Sequence, residues 1–167
     1  MKDEVKRNYL EINSLQNLKE VSRPVDDFLL VLLEPINFQL NKFFYKNIGK
    51  KHKWVDRLIW SEQQWIDYVS NEKVRTYVLK NRDDLVGYFE LIFHPADKEI
   101  EIAYFGILEE YQNKKLGSFL LSEAIKKSFE ENINRVWLHT CSLDHKNALN
   151  NYIARGMKIF KSEIVKI

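Results

Sequence analysis

Cysteine is almost missing from these 167 residues: Cys141 stands alone, so no disulfide can close within the chain and no cysteine-rich zinc site can be assembled. A reducing compartment fits that usage. Long apolar runs are missing too. The longest, Phe28 to Leu33, falls far short of the ~20 residues that cross a bilayer, and the opening MKDEVKRNYL has no apolar core of a secretory signal. The expectation is a cytoplasmic protein that uses no membrane. Charge of one sign is also scarce, with 26 Lys and Arg against 24 Asp and Glu, so no global field argues for nucleic acid as a partner. With only five glycines and three prolines, no linker divides the chain, and its length is that of one domain, residues 1–167.

What the chain has is apolar and aromatic mass. At 45% hydrophobic and 13% aromatic residues it is too apolar for disorder and should fold compactly. The N-terminal part reads as a short strand at Tyr9–Ile12 and a buried strand at Phe28–Leu33. A helix follows Pro35, and a second begins at Ser61, a natural N-cap. Val74–Lys80 and Leu85–His94 flank Asn81-Arg82-Asp83-Asp84 as a hairpin, being rich in β-branched and aromatic residues. Glu99–Ile107 alternates, which sends Ile100, Ile102 and Tyr104 one way and Glu101, Ala103 and Phe105 the other. Leu116, Phe119, Leu120, Ala124, Ile125 and Phe129 form a helical stripe ending near Asn132. A strand at Val136–Cys141, a helix from Lys146 to Arg155 stopped by Gly156, and a final strand complete an α/β order with a mainly antiparallel first half.

The segment richest in chemistry is Tyr111-Gln112-Asn113-Lys114-Lys115-Leu116-Gly117-Ser118. It stands between an alternating strand and an amphipathic helix. Backbone amides in a turn that opens a helix converge outward, and the helix dipole adds positive potential, so such a turn can hold a pyrophosphate. Lys114 and Lys115 add charge. The same residues also read as an ordinary basic turn at a helix start.

With these residues the chain resembles the Gcn5-related N-acetyltransferases, whose loop is Gln/Arg-x-x-Gly-x-Gly/Ala after the fourth strand. Gln112 and Gly117 occupy the outer positions, and Lys115 stands where the first glycine is usual. Downstream, His145, Ala148, Tyr152, Gly156 and Met157 are similar to the family's Asn-x-x-Ala-x-x-x-Tyr-x-x-x-Gly-Phe, with His145 for Asn and Met157 for Phe. Gly87–Leu91, Leu138–Cys141, Leu143–His145 and Trp54–Arg57 look like a little-characterised bacterial branch. The resemblance implies a mixed, mostly antiparallel sheet flanked by helices, splayed near Gly106, with a C-terminal hairpin that is short or missing.

The resemblance also implies roles. Acetyl-CoA is the co-substrate, its pantetheine arm on Phe105, Gly106 and Ile107 and its phosphates on Gln112, Asn113, Lys114, Lys115, Leu116, Gly117 and Ser118, with His145 beside them. Glu101, eleven residues before Gln112, matches the catalytic glutamate of the histone-acetylating members; a base is needed because an ammonium has no lone pair. Tyr152 can protonate the departing thiolate. Trp54 and Arg57, with Glu90 and His139, fall on the acceptor side, where aromatic walls and a guanidinium suit a partly flat or anionic amine. Glu90, Glu99 and His139 are reserve bases. Cys141 lacks a Cys-His-Asn arrangement, so attack should be direct. The expected partner is an amine, small molecule or peptide, and the expected state is a monomer or homodimer. A non-catalytic acyl-CoA sensor is the alternative.

Overall fold

The computed structural model describes residues 2–24 and 27–166. In chain order the elements are β1 (Glu4–Ile12), β2 (Phe28–Leu32), α1 (Phe38–Gly49), α2 (Glu62–Ser70), β3 (Val74–Asn81), β4 (Asp84–His94), β5 (Glu99–Ile107), α3 (Leu116–Phe129), β6 (Arg135–Cys141), α4 (Ala148–Ala154) and β7 (Lys158–Lys166). The strands form one seven-stranded sheet in the order β2-β3-β4-β5-β6-β1-β7. Every pair is antiparallel except β5 with β6. A parallel pair needs a crossover, and α3 supplies it.

Local chemistry accounts for the helix ends. Ser61 caps α2 in a capping box with Gln64, whose side chain returns to the Ser61 amide at 2.8 Å. Gly156 follows α4 at φ +104, and a Cβ there would stand 2.1 Å from the carbonyl oxygen of Asn17, so only glycine fits.

Helices cover the sheet on both faces. On one face Leu116, Phe119, Leu120 and Ile125 of α3, with Tyr152 of α4, pack on Leu10, Ile12, Ile100, Ile102, Val136 and Leu138. On the other, Phe44 and Ile48 of α1 pack on Val78 and Tyr88, the rings of Phe44 and Tyr88 stacking at 4.8 Å. Phe28–Leu32 departs from the expected buried strand, since β2 lies at the sheet edge and only Phe28 is buried.

Two irregularities shape the site. Glu90 pairs with Tyr104 and Leu91 with Ile102, leaving Ala103 as an extra residue in β5. This bulge breaks the strict alternation: Tyr104 joins the α1 face and Phe105 the α3 face, opposite to the expectation for both. Glu101 stays opposite the isoleucines. Bulges bend their strand, and β5 pairs with β6 only from Glu99 to Glu101, opposite Arg135 to Trp137. The strands therefore part after Glu101, five residues earlier than Gly106.

The C-terminal side is built from both ends of the sequence. β7 pairs with β1, which lies between β6 and β7 and opposes both. No C-terminal hairpin forms among the described residues; the N-terminal strand holds that place in the sheet.

Candidate active site

Where β5 and β6 part, a cavity of about 770 Å³ opens through the sheet. One half adjoins α3 and α4, the other the loop between α1 and α2. Of the residues singled out from the sequence, Glu101, Tyr152, Phe105, Gly106, Ile107, Gln112, Asn113, Lys115, Leu116, Gly117, Ser118, His145, Trp54, Arg57 and His139 all line it. Lys114 and Glu90 do not.

At the α3 end the turn is held in a strained form. Asn113 and Lys115 adopt left-handed φ of 63° and 62°, the region in which glycine is most at ease. Lys115 is the N-cap of α3 and makes no side-chain cap bond, so its side chain leaves the first amides of the helix to other acceptors. The Gln112 side-chain Nε2 donates to the Ile107 carbonyl at 3.3 Å and ties the turn to the end of β5. Lys114 points elsewhere, its ammonium 5.4 Å from the centre of the Tyr111 ring. A Cβ built on Gly117 meets only Asn151 Nδ2, at 3.9 Å, so the space above the helix start is open. Asn151 itself lines the cavity, and its buried Oδ1 has no donor. The sequence held no signal for Asn151 beyond its place next to Tyr152.

Tyr152 is buried on α4 with its ring 6.4 Å from that of Phe105. No described group hydrogen-bonds its hydroxyl. Burial, then the charge of Asp144, hold this phenol well above its ordinary pKa, so it is a proton donor across the physiological range.

On the opposite face, Glu101 meets His94 Nε2 at 3.2 Å. His139 is two residues beyond Trp137, the partner of Glu101, and packs against Tyr9 at 5.5 Å. Desolvation, and next the charge of Arg7, lower the His139 pKa and keep the ring neutral near pH 7. Burial pushes the Cys141 thiol up, which disfavours the thiolate a nucleophile needs. Glu99 is taken by the Trp137 indole at 3.1 Å and does not line the cavity.

The α1–α2 loop spans the other half of the cavity. His52 Nδ1 lies 3.0 Å from the Leu143 carbonyl and Lys53 Nζ 2.8 Å from Asp3, so the loop is anchored on both the β6–α4 turn and the N-terminal segment. Trp54 packs on Tyr104 at 4.9 Å. Arg57 is buried and donates to Glu90, which is wholly buried and outside the cavity. Trp65 is core, as its helical spacing allowed. Val5, Arg7, His52, Asp56 and Asn151 line the cavity without having been marked in the sequence. Among the described residues no cluster of metal-ligating side chains occurs, and no helix is long and apolar enough to cross a membrane.

Solved structures share this architecture. A GCN5-related N-acetyltransferase from Sphaerobacter thermophilus superposes with a TM-score of 0.73 at 13% identity, over 97% of this chain and 50% of that one. A functionally unknown conserved protein from Staphylococcus epidermidis gives 0.66 at 20% identity, over 98% and 61%. The spermidine N-acetyltransferase of Vibrio cholerae, solved with CoA and spermine, gives 0.63 at 18% identity, over 84% and 95%. The chain thus spans about half to three-fifths of the length of the first two. No curated protein sequence matches it significantly. The sequence model of the acetyltransferase (GNAT) family matches residues 37–157, from the N-cap of α1 to the residue before β7. Most of the chain lies within that match, and the protein belongs to the GNAT acetyltransferase family.

Proposed function

We propose that this protein transfers an acetyl group from acetyl-CoA to a primary amine by direct attack within a ternary complex. The observation that carries the reading is that Tyr152 and Glu101 line one cavity from different elements, at the point where β5 and β6 part, with uncapped amides of α3 at its far end. CoA and spermine in the Vibrio cholerae neighbour support a thioester donor and an amine acceptor.

The residues present fit the co-substrate. Asn151 Oδ1 is a buried acceptor in want of a donor, Gly117 leaves its side of the helix start open, and the amides of Lys115 to Ser118 offer donors to a pyrophosphate. Beyond Glu101 the edge of β5 that faces β6 lacks a strand partner, so its backbone can pair with a pantetheine amide. When bound, acetyl-CoA supplies the activated acyl group and a thiolate leaving group.

Glu101 accepts the proton of the acceptor ammonium, directly or through water, and exposes the lone pair. His94, 3.2 Å from Glu101 and more exposed, orients that carboxylate. Tyr152 donates its proton to the departing sulfur; its raised pKa keeps the hydroxyl protonated and able to hydrogen-bond the sulfur as charge develops there. Neutral His139 stands as the second basic group.

The test is thiol release from acetyl-CoA across amines, amino acids, polyamines and peptides, with the parent and Glu101→Gln. Turnover in the parent, and a rate deficit in the variant that shrinks as pH rises and the amine loses its own proton, support the assignment. CoA binding with no thiol release from any acceptor would instead describe an acyl-CoA sensor.

A further inference from the structure

We propose that the acceptor amine also carries a carboxylate, and that Arg7 on β1 binds it; the inference rests on the amine-acylation reading above. Two guanidinium groups line the cavity, Arg7 and Arg57. Arg57 is not available to a ligand anion, because Glu90 holds it at 2.9 Å in the interior. Arg7 is different. It is half-buried, its side chain makes no ion pair or hydrogen bond among the described residues, and its Nε is buried without an acceptor.

No described carboxylate lies within ion-pair distance of it, and the neighbouring ones have partners of their own. Glu163, opposite Arg7 across β1 and β7, accepts from the Tyr9 hydroxyl at 2.7 Å and pairs with Lys161. Asp144 takes the Thr140 hydroxyl and the Cys141 amide. A guanidinium offers a planar fork that fits a carboxylate in two parallel bonds, and leaving its buried Nε–H unmatched costs free energy that such a ligand returns.

Arg7 also stands on the face where the proposed base lies. Leu10 and Ile12 point into the α3-side core, so by alternation Arg7 and Tyr9 point to the other face, as Glu101 does. Arg7 is paired with Cys141 and Glu101 with Trp137, four residues apart on β6, or about 13 Å along the strand direction, and the two flank β6, which adds about 9.5 Å across it. Cation and carboxylate thus bracket His139, a neutral ring, and an amino acid or short peptide presents the matching charges, its amine towards Glu101 and its carboxylate towards Arg7.

The experiment compares kcat/KM for amino acids and their decarboxylated amines, lysine against cadaverine and tyrosine against tyramine, in the parent and in Arg7→Met, which keeps an apolar stem. The parent should favour the carboxylate-bearing partner by about 10- to 100-fold, the worth of one charge-assisted pair, and Arg7→Met should lose that preference through KM, with Arg7→Lys recovering part of it. Equal discrimination in parent and variant overturns the inference. A fall in CoA affinity in Arg7→Met also overturns it, since the anion would then be a co-substrate phosphate. If no amine is acetylated, the functional reading fails separately, and calorimetry on the CoA complex decides this inference: N-acetyltyrosine should bind more tightly than N-acetyltyramine only while Arg7 is present, and no difference overturns it.

Discussion

Arg57 donates to both oxygens of Glu90, at 2.9 and 3.2 Å, with both residues buried. Tyr68 and Asn41 satisfy the same carboxylate at 2.8 and 3.0 Å, and the rings of Tyr68 and Tyr104 lie 4.1 and 4.2 Å from the guanidinium carbon. The Arg57 amide donates to the Tyr45 hydroxyl at 3.0 Å, so this cluster pins the α1–α2 loop to the sheet. Glu90→Gln keeps the shape and removes the charge that compensates Arg57. Breaking a buried pair from one side costs about 3–5 kcal/mol, so thermal denaturation should fall by about 6–20 °C for a chain of this size. An unchanged melting temperature would mean that the loop is held by the aromatic rings alone.

At the helix start, charge and shape can be separated. Gly117→Val has open space around it, so the apo protein should melt within a few degrees of the parent, whereas the branched side chain crowds whatever the α3 amides hold. CoA affinity by calorimetry should drop by about 10-fold or more, a loss of about 1.4 kcal/mol. Lys115→Ala should weaken binding less, because it removes one exposed charge and leaves the backbone donor. Equal small losses from both would put the phosphates elsewhere. Lys115→Gly should raise stability by up to about 1 kcal/mol by relieving the left-handed backbone.

Acid should weaken the fold through two histidines. The pKa values of His139 and His145 are lowered, in both cases first by desolvation, with Arg7 the next cause for His139 and His52 for His145. Below the ordinary value of 6.5 the unfolded chain therefore takes up protons before the folded one, and stability present above that pH declines as pH falls through the lowered folded values. Urea denaturation at pH 7.5 and 5.5 checks this, and His139→Gln should show a smaller decline than the parent. A decline unchanged in that variant would remove His139 from the account.

The site was legible where the chemistry is local. The turn at 112–118, the helix carrying Tyr152 and the face of Glu101 follow from spacing and residue type, and most of the residues that the family resemblance marked meet in one cavity. Three features escaped because they depend on long-range pairing. Alternation along Glu99–Ile107 cannot reveal the extra residue Ala103, whose presence is defined only against β4. Glu90 looked like a cleft carboxylate until Arg57, thirty-three residues away, was found beside it. Arg7 reaches the cavity because β1 inserts between β6 and β7, a pairing across more than 120 residues that no local pattern encodes. Phe28–Leu33 shows the converse, an apolar run whose place at an edge was invisible to composition.

The central claim is that one cavity carries out acyl transfer with Tyr152 as the acid. Tyr152→Phe keeps the ring that packs against Phe105 and deletes the proton donor. The most direct measurement is thiol release at saturating acetyl-CoA and acceptor, with acetyl-CoA affinity determined in parallel. The predicted result is turnover in the parent and a fall in kcat of about 10- to 1000-fold in the variant, at nearly unchanged affinity. A variant as fast as the parent would contradict the assignment of Tyr152, and a parent that binds acetyl-CoA but acylates no amine would contradict the enzyme.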